Sequence, residues 1–474
     1  MPDLREQVKN EGFCIIVLCR DLTAFINSGR TRKTYLLETE EFLKYIVKSL
    51  ESIEKSIRNT IEQPIEEELL KSKLREFGLI KKVLSSLYVL TKETIDSDTL
   101  SMPYSLTILL NDLVKKIDKL DTTSLVVLSS SNLMYYKYNL DRLRNLTQSI
   151  STYVVKDYPV LPSNIGILKF PYCAAHNVLI NCILFHELGH YIYEITNIEK
   201  NFIEKIENDL AELVIQEHIL EKIKPIKPHI AWNKLSIYVK GLLTSWTNEI
   251  FADITAIRML GPAFHLACLE MEHILPTEIE GNKDFSRTHP ADNFRFKMHA
   301  KWLKEEKWDS IINKRTPEIF QRLEECKKLK IEDFKIKCQS PFGEKKEIED
   351  ILHKWMLVEF EKMVLKVEKE ISEKISNTEN PIDDFKKNDL LVTRYLSHGV
   401  VPSTVYDDKK NKYHPCPTTM LNSGFFFYMD GMRELIQKIK ADISETEKRL
   451  KYEKRLNEWL EKAIEDWQIL QLEK

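Results

Sequence analysis

From Glu40 to Ile95 apolar residues fall at three- and four-residue intervals between charged ones: Phe42, Ile46, Leu50 and Ile53, then Leu69, Leu74, Leu79, Val83 and Leu87. This is the helical period, and it predicts an all-helical N-terminal region. Two stretches break the pattern. SLVVLSSS (Ser124–Ser131) and IGILKF (Ile165–Phe170) are short, apolar or β-branched, and bounded by turn residues such as Pro162 and Pro171, so they predict strands. Helical spacing resumes over Asn177–Ile198 and Phe202–Ile223, breaks at Pro225 and Pro228, and returns through Ile237–Leu260. Beyond Lys301 the chain reads as charged helices with loop-like segments at Asn377–Asp384 and Gly399–Thr418. The last forty residues place Ile436, Ile439, Ile443 and Leu450 at near-heptad spacing. The expected fold class is mainly α with a small β-sheet, an α+β arrangement.

Composition narrows this picture. At 474 residues, and about 150 per domain, the chain has room for two to three units. A hydrophobic share of 43% with 70 basic against 73 acidic residues excludes disorder for most of it. The same balance leaves no global field to steer it to nucleic acid or to an anionic membrane. Only 12 glycines are present, too few for a fold of tight hairpins and Gly-rich phosphate loops. The eight cysteines form no CxxC pair, as expected of reduced, mostly buried thiols in a cytosolic protein. Asp3, Arg5, Glu6 and Lys9 do not read as a secretory leader. The longest apolar runs, Cys14–Cys19 and Val178–Phe185, fall short of the roughly 18 residues of a membrane span. The expectation is a soluble, cytoplasmic protein without a membrane span.

The candidate chemistry begins at His186-Glu187-Leu188-Gly189-His190, an HExxH within an apolar helical run. Histidines four apart project from one helix face one turn apart, a spacing that can pinch one zinc ion. Glu187 points to a neighbouring angle, where its carboxylate can serve as general base toward a metal-activated water. Chance alone yields HExxH in on the order of a few per cent of such chains, so a second element is needed. Asn248-Glu249-Ile250-Phe251-Ala252-Asp253 supplies it: Glu249 as third ligand, and Asp253, one turn on, as hydrogen-bond partner of a ligand imidazole. Two imidazoles and one carboxylate suit zinc with an open fourth position. Thr288-His289-Pro290 and Arg295 add a histidine at a helix entrance, able to stabilise an oxyanion, and a cation near the first turns. His398, His414 and Cys416 match no standard metal spacing and read as loop residues.

With HELGH, EIFAD and HPADNFR in that order, the sequence resembles the gluzincin metallopeptidases. Among them it is most similar to the M48 family of Ste24- and HtpX-type proteases. The resemblance spans about 110 residues, Asn181 to Arg295, a minority of the chain. It implies zinc ligands His186, His190 and Glu249, one zinc per chain, base Glu187, support from Asp253, transition-state help from His289, and Arg295 structuring the site. It also implies that Ile165, Gly166, Ile167 and Leu168 form an edge strand that pairs with an extended peptide. The known members carry transmembrane helices, and none is expected here.

The expected organisation is an N-terminal helical region at 1–120, a zincin-like metallopeptidase core at 121–305, and a C-terminal helical region at 306–474 as a candidate lid. The expected function is a soluble zinc endopeptidase acting on a protein or peptide substrate. It is expected to be gated or restricted by a regulatory protein partner, and to bind no nucleic acid. The alternative is a non-catalytic helical interaction protein with a structural or vestigial zinc site. Glu187 weighs against that alternative, because a structural site needs ligands and no base.

Overall fold

The computed structural model describes residues 3–33, 37–95, 104–116, 125–131, 134–153, 155, 158–161, 165–196, 198–222, 227–271, 283–338, 346–374, 381–432, 436 and 444–472. Among these the fold is mainly α-helical with three small sheets. The chain divides into two compact units, residues 1–111 with 121–176, and 112–120 with 177–474.

The first unit is built on helices α1 (Leu4–Arg32), α2 (Leu37–Glu62) and α3 (Leu70–Ile95); α4 (Tyr104–Lys116) follows, with its residues 104–111 in this unit and 112–116 in the second. The helical spacing read in the sequence becomes a packing stripe. On α2, Phe42, Leu43, Ile46, Leu50, Ile53 and Ile57 are all buried, each worth about 1.5–3 kcal/mol of removed apolar surface. They face Val8, Ile15, Ile16, Cys19, Leu22 and Ile26 of α1 and Ile80, Val83, Leu87 and Leu90 of α3 within one core. The expectation about membrane spans needs one amendment. Helix α1 is long and apolar enough to cross a membrane, because Arg20 and Asp21 are the only charges between Gly12 and Gly29. A third of that window is buried here, packed as a core helix on α2 and α3.

Both predicted strands form, as β1 (Leu125–Ser131) and β3 (Ile165–Pro171), with β2 (Tyr136–Lys137) completing the sheet in the order β1-β3-β2. Helix α5 (Asp141–Tyr153) connects β2 to β3. β1 and β3 run parallel with Leu125 opposite Ile165, and β2 pairs antiparallel at Lys169 and Leu168. This corrects the substrate-strand expectation: β3 is the central strand, not an edge. On the β2 side, Ile167 O accepts from Tyr138 N and Ile165 O from the Arg144 guanidinium. Residues 165–168 are buried and their backbone is occupied by the protein itself. Lys169 is wholly buried, held by Ser129 Oγ at 2.8 Å and by Glu93, and burial lowers its pKa. The expected boundary at 120/121 is also corrected, because β1 packs with α2 and α3 and residues 121–176 fall in the first compact unit.

The second unit runs from α6 (Leu184–Ile195), entered through a 3-10 turn at Ile180–Ile183, to α7 (Ile198–Gln216) and α8 (Ile219–Lys222). His218, at φ +52°, separates the last two. The long helix α9 (Pro228–Leu260) starts with Pro228 in its first turn and ends at Gly261, whose φ of +65° and contact with Trp308 leave no room for a Cβ. Next come α10 (Pro262–Met271), β4 (Asp284–Phe285), α11 (Asp292–Glu305), α12 (Asp309–Arg315), α13 (Pro317–Lys328) and β5 (Lys335–Ile336), which pairs with β4. The remaining elements are α14 (Lys346–Lys374), α15 (Pro381–Ser397), the β6 (Val405–Tyr406) and β7 (Lys412–Tyr413) hairpin, α16 (Pro417–Phe426) and α17 (Glu445–Leu472). Pro381–Asp384, read from sequence as loop, opens α15. α14 packs along α9, and α16 on α10 and α17. The segment after 305 therefore belongs to the same compact unit as α6 and α9, which corrects the expectation of a separate C-terminal region.

Candidate metal centre

Helices α6 and α9 meet at Gly189. A Cβ there would stand 2.5 Å from the Ala252 Cα, so only glycine lets the two backbones come this close. The approach sets the HExxH face of α6 against the turn of α9 that carries Asn248, Glu249 and Asp253. Trp246, one turn earlier on α9, packs on Phe285 at 4.8 Å and donates from its indole to Ser286 O at 2.9 Å. Ser286 in turn bonds His289 through its Oγ and backbone N–H, closing a turn that presents His289 beside α9. Pro290 and Ala291 lead directly into α11, with Arg295 in its first turns.

His186 Nδ1 donates to Asp253 Oδ1 at 2.8 Å, and His190 Nδ1 to Asn248 Oδ1 at 3.0 Å. Both partners are acceptors, so each ring is held with its proton on Nδ1 and its Nε2 lone pair directed elsewhere. Both Nε2 atoms converge on Glu249: His186 Nε2 lies 3.3 Å from Oε2 and His190 Nε2 3.4 Å from Oε1. Glu249 Oε2 is buried and makes no hydrogen bond. Two donors ~2.0–2.1 Å from a tetrahedral ion stand ~3.3–3.4 Å apart. The spacing and the orphaned oxygen thus fit a divalent ion among His186, His190 and Glu249. Donor atoms of His186, Glu187 and His190 also lie within 4.8 Å of one another. Glu187 therefore borders the same point from the α6 side.

The electrostatics favour a cation there. Burial pulls the His186 imidazole down, but the hydrogen bond to Asp253 and the nearby carboxylates outweigh it and hold it at about 10. Burial pushes Glu249 up, yet His186, His190 and Arg295 outweigh that and bring it to about 2. His190 is lowered by burial and by the charge of His186. In the ion-free site a proton on His186 thus sits between two carboxylates, the position that a metal cation satisfies equally. Asp253 is fully buried and held well below the carboxylate range, burial being overcome by Arg295. Arg295 grips it in bidentate fashion, Nε to Oδ2 and NH2 to Oδ1, both at 2.7 Å. A bidentate Arg at this length fixes carboxylate orientation and hence the ring of His186.

His289 is the exposed member, about half accessible, with Nε2 3.6 Å from Glu249 Oε1 and Nδ1 bonded to the Thr288 hydroxyl at 2.7 Å. The structure thus brings together His186, Glu187, His190, Glu249, Asp253, His289 and Arg295. It places Ile165, Gly166, Ile167 and Leu168 in the other unit. Three residues were missed in sequence: Asn248, which orients His190; Trp246, which holds the His289 turn; and His299, whose Nε2 lies 3.3 Å from Asp253 Oδ2 and whose Nδ1 lies 3.0 Å from His265 Nδ1. His299 follows Arg295 by four residues, so its helical spacing was an available signal. His398 and His414 make local bonds to Arg394 and Thr404, and Cys416 caps α16, as expected of loop residues. No disulfide links the eight cysteines. No family model, curated protein or solved structure matches this chain.

Proposed function

We propose that this chain is a zinc-dependent endopeptidase of the gluzincin type, similar to the M48 family in its site. The observation that carries the reading is the convergence of two Nδ1-anchored imidazoles on the orphaned carboxylate of Glu249, with a second carboxylate, Glu187, bordering the same point. A structural site needs no such second acid. His186, His190 and Glu249 would hold the ion, which when bound supplies Lewis acidity and brings the pKa of a water near ~7. Glu187 takes the proton from the attacking water and delivers it to the leaving amine. His289, accessible and bonded at Nδ1 by Thr288, offers its Nε2 side to the oxyanion. Asp253, clamped by Arg295, keeps His186 in the ligating tautomer. A restricted entrance and a selected protein substrate complete the proposal, with α14 packed along α9, the helix that carries Glu249 and Asp253.

The test is proteome-wide identification of new peptide termini after expression of wild type and Glu187→Gln. The expected result is a set of termini present with wild type and absent with Glu187→Gln, a loss of about 10²–10⁴-fold in turnover with fold and metal retained. Equal termini in both would remove the proposed mechanism.

A further inference from the structure

A cavity of about 850 Å³ lies on the second unit along the outer face of α9. Its lining includes Lys234, Ile237, Tyr238 and Ser245 from α9, Arg287 and Thr288 from the His289 turn, and Lys337 after β5. It adjoins the centre at two points. Thr288 is the residue whose hydroxyl bonds His289, and Ser245 stands one turn before Glu249 on the same helix. From Lys234 to Glu249 the helix rises about 22 Å, which matches roughly seven residues of extended chain.

Among the described residues of the lining, Lys234, Arg287 and Lys337 are basic and none is acidic. Lys337 is paired with Asp284 at 2.5 Å, and Glu349 lies beyond, near Tyr238. No ion pair among the described residues engages Lys234 or Arg287. Ile237, also in the lining, is 71% exposed and adds apolar surface to the cavity. We infer that this cavity receives an acidic segment of the peptide chain that the metal centre processes, with Lys234 and Arg287 reading its carboxylates. The inference deepens the peptidase reading and rests on it for the identity of the occupant as a peptide. Lys234 and Arg287 select the substrate and touch no reacting atom.

Two measurements separate this inference from the reading beneath it. The first is fluorescence anisotropy with zinc-loaded Glu187→Gln protein and three labelled eight-residue peptides, rich in Glu and Asp, in Gln and Asn, or in Lys. The acidic peptide is expected to bind roughly tenfold tighter than its amide counterpart, from two exposed charge pairs. The gap should close as salt rises from about 50 to about 500 mM. The double variant Lys234→Glu with Arg287→Glu, its melting temperature and zinc content checked against the parent, should abolish the preference. Equal binding of acidic and amide peptides, or a preference that survives the double reversal, overturns the inference. The second is wild-type turnover of the same peptides. Cleavage with no acidic preference rejects the cavity assignment alone, whereas acidic binding with no cleavage of any peptide keeps the ligand class and rejects the peptidase reading.

Discussion

The two units bury different things. In the first, α1, α2 and α3 enclose aliphatic and aromatic side chains with a few Ser and Thr, and Lys169 is the only fully buried charge among the described residues. In the second, the contact of α6, α9 and α11 encloses His186, Glu187, Glu249, Asp253, His299 and, partly, Arg295. Every buried ion costs several kcal/mol of desolvation, and apolar packing of equal volume is often as stable or more so. The first unit follows the rule for a core. Among the described residues the second also buries Arg322, Glu359 and Asp389, and it departs from the rule most densely where an orphaned carboxylate faces two ring nitrogens. Local departures of this kind mark sites rather than cores.

The sharpest way to break this comparison is to remove one partner from the polar cluster and then to remove the polarity altogether. Asp253→Ala leaves Arg295 and His186 without their shared carboxylate and should cost about 3–5 kcal/mol in urea denaturation. The pair Asp253→Leu with Arg295→Met should recover most of that while metal affinity is lost. Leu50→Ala in the first core should cost about 2–5 kcal/mol through a cavity. If the double variant is as unstable as Asp253→Ala, the cluster is structural packing and the contrast fails.

A smaller effect separates the two units through glycine. Gly189→Ala would press on the Ala252 backbone and should lower stability by about 1–3 kcal/mol, with loss of metal. Gly78→Ala on α3 meets nothing within 4 Å and should raise stability by about 0.5–1 kcal/mol. Thermal melting of both variants checks the pair. Equal effects would mean that α6 and α9 do not touch at Gly189.

The smallest effect concerns a charge in the second unit that lies outside the cluster. Burial, with Glu465 and Glu458 nearby, raises Glu461 on α17 to about 7. Its pKa is higher folded than unfolded, so the folded state binds the extra proton. Stability therefore falls as pH rises from about 4.5 toward 7. Glu461→Gln should melt higher than wild type at pH 8 and no differently at pH 4. A gain of equal size at both would assign it to packing instead.

Much of the site was legible because its parts are local. HELGH and EIFAD each place two groups one turn apart, and HPADNFR joins a turn to a helix start. Helix periodicity likewise marked α2, α3 and the body of α9. What escaped was long-range. Asn248 acts through a partner 58 residues distant in sequence, and spacing carries no sign of it; His299 stands one turn after Arg295, but the partner that gives it a role, Asp253, is 46 residues away. The strand IGILKF is apolar except for Lys169, the mark of a strand covered on both faces, and its pairing partners, not its sequence, make it central. The two-residue strands β2, β4, β5, β6 and β7 are too short to show any period.

We propose above all that the buried cluster holds one metal ion through His186, His190 and Glu249. Metal content per chain after chelator-free purification tests it most directly, on wild type, Glu249→Ala and Glu187→Gln. One zinc per chain is expected in wild type and in Glu187→Gln, and a loss of zinc in folded Glu249→Ala. Wild type without zinc, or Glu249→Ala that keeps it, would rule out this metal centre.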